Sequence, residues 1–146
     1  MASFSFESID GLLDQFKDLE RIDEIAPKML EESAPIVVNK LKAALSEHNQ
    51  TGDMIKSIKP KKPAKDKSDR HYTFIRPTGQ SKKQMTEDGK TVSRKTPERN
   101  MEKLAILEFG SSKQKATPVV ANVVKATENE VIKKMEEVYY REVKIK

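Results

Sequence analysis

The chain has 146 residues, 35% of them charged and 36% hydrophobic, with three Tyr, five Phe, no Trp and no Cys. That length suits one domain with one core, and the low apolar content fits a small body with solvated arms or loops better than an enzyme around a deep pocket. Without cysteine there is no disulfide, no thiolate nucleophile and no cysteine zinc site.

No apolar run approaches the roughly 20 residues of a membrane span, and the first residues lack the basic flank and apolar block of a signal peptide, so a cytosolic protein with no membrane partner is expected. Formal net charge is +5. Its distribution says more: Lys56 to Lys103 holds 15 Lys and Arg against 6 Asp and Glu, net +9, whereas the remainder has 13 against 17, net −4. A basic middle can meet phosphates or an acidic protein surface. The plainer reading is a solvated lysine-rich loop.

Residues 1–8 read as an arm, with Phe4 and Phe6 alternating as in a short edge strand. From Ile9 the spacing of Leu12, Leu13, Phe16 and Leu19 predicts a short amphipathic helix with Asp10 as N-cap. A long helix follows to about Glu47, because Ile22, Ile25, Ala26, Met29, Leu30, Ala34, Val37, Val38, Leu41, Ala44 and Leu45 share one face. Pro27 is expected near its first turn. Pro35 lies inside the apolar pattern, which continues in phase beyond it, so a kink is expected there rather than a break.

His48 to Gly52 carries turn chemistry, and Thr51 is expected to cap one helical turn over 53–56 that leads into a strand near Ser57. Lys59-Pro60-Lys61-Lys62-Pro63 is held extended by its prolines, at an edge or a bulge. His71 to Pro77 alternates and is rich in β-formers, so the two strands predict an antiparallel hairpin turning at Asp66 to Asp69.

Residues 78–99 contain no large aliphatic side chain except Met85 and Val92, and are expected to form a flexible basic loop that gains order against a partner subunit. Asn100 is expected to cap a short helix ending at Gly110, with a strand as the alternative because Ile106 and Phe109 also suit a sheet. Thr117 and Pro118 open a last helix whose inner side carries Val119, Val120, Val123, Val124, Thr127, Val131, Met135, Val138 and Tyr139.

A search for chemistry returns little. His48 and His71 have no ligand at metal-binding spacing. Glu31 and Glu32 fall on a solvent face, the five glycines occur singly, and no serine sits in a Gly-x-Ser-x-Gly elbow. Glu108 is the one acid in an apolar context, between Leu107 and Phe109; it reads as an anchor for the turn after it, with an acid–base role as the alternative. The chain therefore reads as an interaction or assembly protein, without an enzyme activity and without a cofactor site. A basic, non-specific nucleic-acid-binding protein acting through Lys59, Lys61, Lys62, Lys65 and Lys67 is the second reading.

The order of these features resembles a phage tail-component family typified by the gene-ten product of a lambdoid siphophage, whose members are called tail completion, neck or head-tail joining proteins. A Thr-Gly-x-Leu-x-x-Ser-Ile segment of that family is matched by Thr51, Gly52, Met54, Ser57 and Ile58, and a Glu-Phe-Gly-Thr-Ser block by Glu108, Phe109, Gly110, Ser111 and Ser112. Of the family's Pro-Ala-Arg-Pro-Phe, Lys115 to Val119 keeps the alanine and the second proline, Pro118.

The resemblance implies an α+β fold over 1–146, a long kinked N-terminal helix and a C-terminal helix packed on a small antiparallel β-sheet, with the long basic loop outside the match. It implies a virion protein, made in the bacterial host cytoplasm, that forms a hexameric ring at the head-tail junction. Its partners would be further copies of itself, the head connector or adaptor, the tail terminator or tail tube, and DNA passing through the lumen. Lys59, Lys61, Lys62, Lys65, Lys67, Lys82, Lys83, Arg94 and Lys95 are the candidates to face DNA or a neighbouring subunit. Phe109 is expected to anchor in the core, Gly110 to reverse the backbone and Glu108 to tie down the turn before the last helix.

Overall fold

The 24-residue run Ile22–Leu45 is one helix, α1, in the computed structural model of the chain, which describes Leu13, Phe16, Lys17 and residues 19–48 and 51–144. Asp23 and Glu24 in its first turn and Lys42 in its last complement the helix dipole. Both prolines lie within it, and Pro27 sits deeper than the first turn expected for it, because the helix already begins at Ile22. A proline donates no amide hydrogen, so the carbonyls of Asp23 and Glu31 lose their usual helical partners. Packing compensates: Ile25, Ala34, Val38, Leu41 and Leu45 are buried on one face.

That face lies against the C-terminal helix α4 (Val119–Lys144). The two run antiparallel, as their ion pairs show: Lys28 to Glu142 at 2.7 Å, Arg141 to Glu32, and Lys40 to Glu130 at 3.9 Å. Between the helices and the first strand, Val38, Leu41, Leu45, Ile58, Leu104, Leu107, Val119 and Val123 form the core cluster. Fully burying a side chain such as Leu45 or Ile58 is worth about 1.5–3 kcal/mol. Val124, expected on the inner side of α4, is instead exposed, and Ile22, at the start of α1, is partly so.

Gly52, in the left-handed region at φ +80°, is the N-cap of the single turn α2 (Asp53–Lys56), so Thr51 lies one residue too early to cap it and makes no side-chain cap bond. β1 (Ile58–Pro60) pairs with β4 (Ile75–Pro77), and β2 (Ala64–Lys65) with β3 (His71–Tyr72), both antiparallel. These pairs are successive parts of the expected hairpin. The single strand expected over 71–77 is broken at Thr73 and Phe74, opposite a stretch that contains Pro63, which has no amide hydrogen for a ladder. At the tip, Asp66 accepts amide hydrogens from Ser68 at 2.8 Å and Arg70 at 3.0 Å.

Residues 78–99 correct the expected loop. β5 (Gln80–Met85) and β6 (Thr91–Arg99) form a third antiparallel pair. Their turn is closed by bonds from the Thr86 amide to the Lys90 carbonyl at 2.8 Å and from the Gly89 amide to the Thr86 carbonyl at 2.9 Å. Most of both strands is exposed, so backbone pairing holds this hairpin without a core of its own. The expected helix, and not the alternative strand, forms as α3 (Asn100–Phe109), but its N-cap is Arg99, and Asn100 is the first helical residue. The architecture is α+β: among the described residues the two long helices α1 and α4, the shorter α3 and the single turn α2 stand with three two-stranded antiparallel sheets. The arm expected at 1–8 and Asp10 lie outside the described residues. Of the helix expected next, Leu13, Phe16, Lys17 and Leu19 are helical, with Leu13, Phe16 and Leu19 exposed.

Candidate functional site

Glu108, Phe109 and Gly110 form the corner between α3 and α4. The Glu108 carboxylate accepts the amide hydrogens of Val120 at 2.8 Å and Ala121 at 3.0 Å, so one side chain satisfies two open donors in the first turn of α4 and places a negative charge at its positive end. Gly110 takes φ +79°. A Cβ there would lie 2.8 Å from the Ala116 nitrogen and 3.0 Å from the Gln114 oxygen, so the position needs glycine for its conformation and for space. Ser111 Oγ accepts from the Lys113 and Gln114 amides, and the Thr117 amide reaches the Leu107 carbonyl at 2.7 Å, closing the loop before Pro118. Ser112 is exposed.

Phe109 reverses expectation. It is 80% exposed, the most exposed large apolar side chain among the described residues. Leu104 and Leu107 occupy the inner face of α3, and a residue two positions beyond Leu107 lies roughly 200° round the helix, on the outer side. The corner thus presents an aromatic ring outward, beside the Glu108 carboxylate that bonds the first turn of α4.

The Thr51 to Ile58 segment joins the core to both hairpins. Ile58 is 1% exposed, while Ser57 accepts the Thr78 amide hydrogen on its carbonyl at 3.2 Å and donates its hydroxyl to Met54 at 2.7 Å. Asp53 accepts the buried Ser81 hydroxyl, and that bond, with Lys83 nearby, holds its carboxyl below the usual range. Asn100 donates to the Thr78 carbonyl at 2.8 Å. Asp53, Ser81 and Asn100 thus fasten the β5–β6 hairpin to the body. Sequence reasoning missed this attachment, since single polar residues far apart in the chain leave no local pattern.

The nine basic candidates divide into two groups. Lys65 is engaged by Asp23 at 2.9 Å and Asp69 at 3.1 Å, Lys83 lies 3.9 Å from Asp53, and Arg94 bonds Gln84 and Glu98. The bonds from Lys65 and His71 to Asp23 tie β2 and β3 to α1, and they hold the Asp23 carboxyl low. Lys59, Lys61, Lys62, Lys67, Lys82 and Lys95 have no ion-pair or hydrogen-bond partner for their side chains among the described residues.

No group of three or more metal-ligating side chains occurs among the described residues. A cleft of about 220 Å³ between the β5–β6 hairpin and α3 is lined by Thr51, Met54, Lys83, Arg94, Lys103 and Glu98, whose carboxylate is occupied by Arg94. No described helix is long and apolar enough to cross a membrane. Comparison with protein-family models, curated proteins and solved structures finds no match to this chain.

Proposed function

We propose that the chain is a structural subunit of a phage neck, which assembles as a hexameric ring between the head connector and the tail and leaves a channel for DNA. The observation that carries this reading is the outward Phe109. Burying an aromatic of this size against a neighbouring copy contributes far more than leaving it in water, and Glu108 and Gly110 hold it on a support that does not need to reorganise. The exposed β5–β6 hairpin supports the same reading, because a two-stranded pair without a core is marginal alone and gains from a surface to lie on. The resemblance in motif order supports a place at the head-tail junction, and a virion location is proposed with it.

The test is a reconstruction of the particle neck, with assembly scored for Phe109→Ala. The reading expects this chain in a ring between connector and tail, and a variant that folds normally but yields heads without tails. Absence of the chain from the neck density overturns it.

A second reading, a basic protein that binds nucleic acid without sequence preference, is favoured by one observation. Six of the nine candidate cations stand on exposed strands and turns with no partner side chain among the described residues. Phosphates would neutralise them with release of counterions, so this binding would fall steeply with salt.

A further inference from the structure

The ribbon formed by β1 to β4 has two unlike faces. Inward lie Ile58, Ile75 and Pro77 against the core, and His71 against Asp23. Along the returning strand, Tyr72, Phe74 and Arg76 alternate outward and are all exposed, while Thr73, Ile75 and Pro77 between them are not. Paired residues of an antiparallel ladder share a face, so Lys59, in register with Arg76, stands on the outer side too. Lys61 is exposed opposite Phe74, to whose carbonyl its amide bonds at 2.7 Å.

We propose that this outer face binds single-stranded nucleic acid, with Tyr72 and Phe74 as a stacking platform and Lys59, Lys61 and Arg76 as the cations that meet its phosphates. The proposal rests on the nucleic-acid reading above and is independent of ring assembly. Three observations carry it.

The rings stand 37% and 52% exposed. They lie edge to face, with centroids 5.2 Å apart and planes at 64°. In that arrangement each ring keeps at least one face free of the other, which is what an unpaired base needs to stack.

The charged side chains of this face have one sign. Lys59, Lys61 and Arg76 have no ion-pair partner among the described residues. The ribbon's own acids are occupied at its tip, Asp66 by Arg70 at 2.9 Å and Asp69 by Lys65 at 3.1 Å. A polyanion therefore meets a field that these carboxylates do not oppose.

The combination selects the class of ligand. Cations alone would take duplex DNA, an acidic protein surface or anionic lipid equally well. Exposed π-faces add affinity for bases that are unpaired, because a duplex hides its base faces in the stack.

The experiment measures fluorescence anisotropy of the full chain at low salt with two probes: labelled oligothymidylate of about 15 nucleotides, within the span of known single-strand sites, and a duplex of the same length. The single strand should bind more tightly than the duplex. Replacing both rings with alanine (Tyr72→Ala with Phe74→Ala) should weaken the single strand about 10-fold or more, the effect expected when base stacking is removed. The same variant should leave its circular dichroism spectrum and duplex affinity unchanged, and Tyr72→Phe, which keeps both rings, should bind the single strand as tightly as the unsubstituted chain. Lys59→Ala with Lys61→Ala should weaken both probes and flatten the salt dependence on the single strand by about 0.7 for each phosphate that is no longer neutralised. Equal binding of both probes, unaffected by the ring substitutions, overturns the stacking surface and leaves the electrostatic reading in place. No binding of either probe overturns both.

Discussion

Glu108 shows how much one side chain can settle. Its carboxylate belongs to α3 but closes the first turn of α4, so it fixes the angle between two helices that share the core. Removing a helix cap costs about 0.5–2 kcal/mol, so Glu108→Ala should lower the stability measured by urea denaturation by that amount without changing the slope of the transition. Gly110→Val should cost more, on the order of 2–4 kcal/mol, since it adds a side chain at positive φ and drives a Cβ into the backbone of residues 114–116. Normal stability of that variant in the same denaturation would mean that the corner adopts another conformation. Both residues were legible in the sequence, because an isolated acid and a glycine after an apolar run have few other uses. Phe109 was not: its type said core, and its position on the helix, two residues past Leu107, put it outside.

At the scale of elements, stability is unevenly spread. α1 and α4 bury Leu41, Leu45, Val123 and Val138 against each other and the core, whereas most residues of β5 and β6 are exposed. Local opening is easiest where little apolar surface is buried. Amides of the β5–β6 ladder should therefore exchange with deuterium on the order of 100-fold or more faster than those of Leu41, Leu45 and Val123 in the isolated chain. Comparable protection would show that the hairpin is held by more than Ser81, Asp53 and Asn100. The same feature explains why the sequence concealed the hairpin. A strand pair with one buried face writes an apolar alternation, but one that is polar on both faces leaves only turn chemistry to read, here Glu87-Asp88-Gly89.

Across the whole molecule, exposed ion pairs tie distant parts of the chain together: Glu32 to Arg141, Glu142 to Lys28, and Asp23 to Lys65. Hydrogen bonds from those cations hold all three carboxyls below their ordinary values, 4.5 for Glu and 3.8 for Asp. A carboxyl with a depressed folded value binds fewer protons folded than unfolded. Its contribution is in place above the unfolded value and disappears as the pH falls through the folded one. The melting temperature should therefore stay level down to about pH 5 and fall below about pH 4, and Glu32→Gln should reduce that fall. A melting temperature that rises below about pH 4 would contradict these pairings. Each pair is solvent-exposed and its individual effect is small and screened by salt.

Periodicity alone determined α1 and α4, because their 3.6-residue apolar pattern runs for about six turns or more and admits no other regular structure. Local chemistry alone determined the turn at Asp66 to Asp69 and the reversal at Gly110. Tertiary structure decided the rest. Gly52 rather than Thr51 is the N-cap of α2, Arg99 rather than Asn100 is that of α3, and Asn100 turns instead to the Thr78 carbonyl. Phe109 faces outward, Tyr72 and Phe74 share an open face, and residues 80–85 and 91–99 pair as strands. A sequence records what each residue would gain from burial or a hydrogen bond, but which neighbour supplies it depends on segments brought together only when the chain has folded.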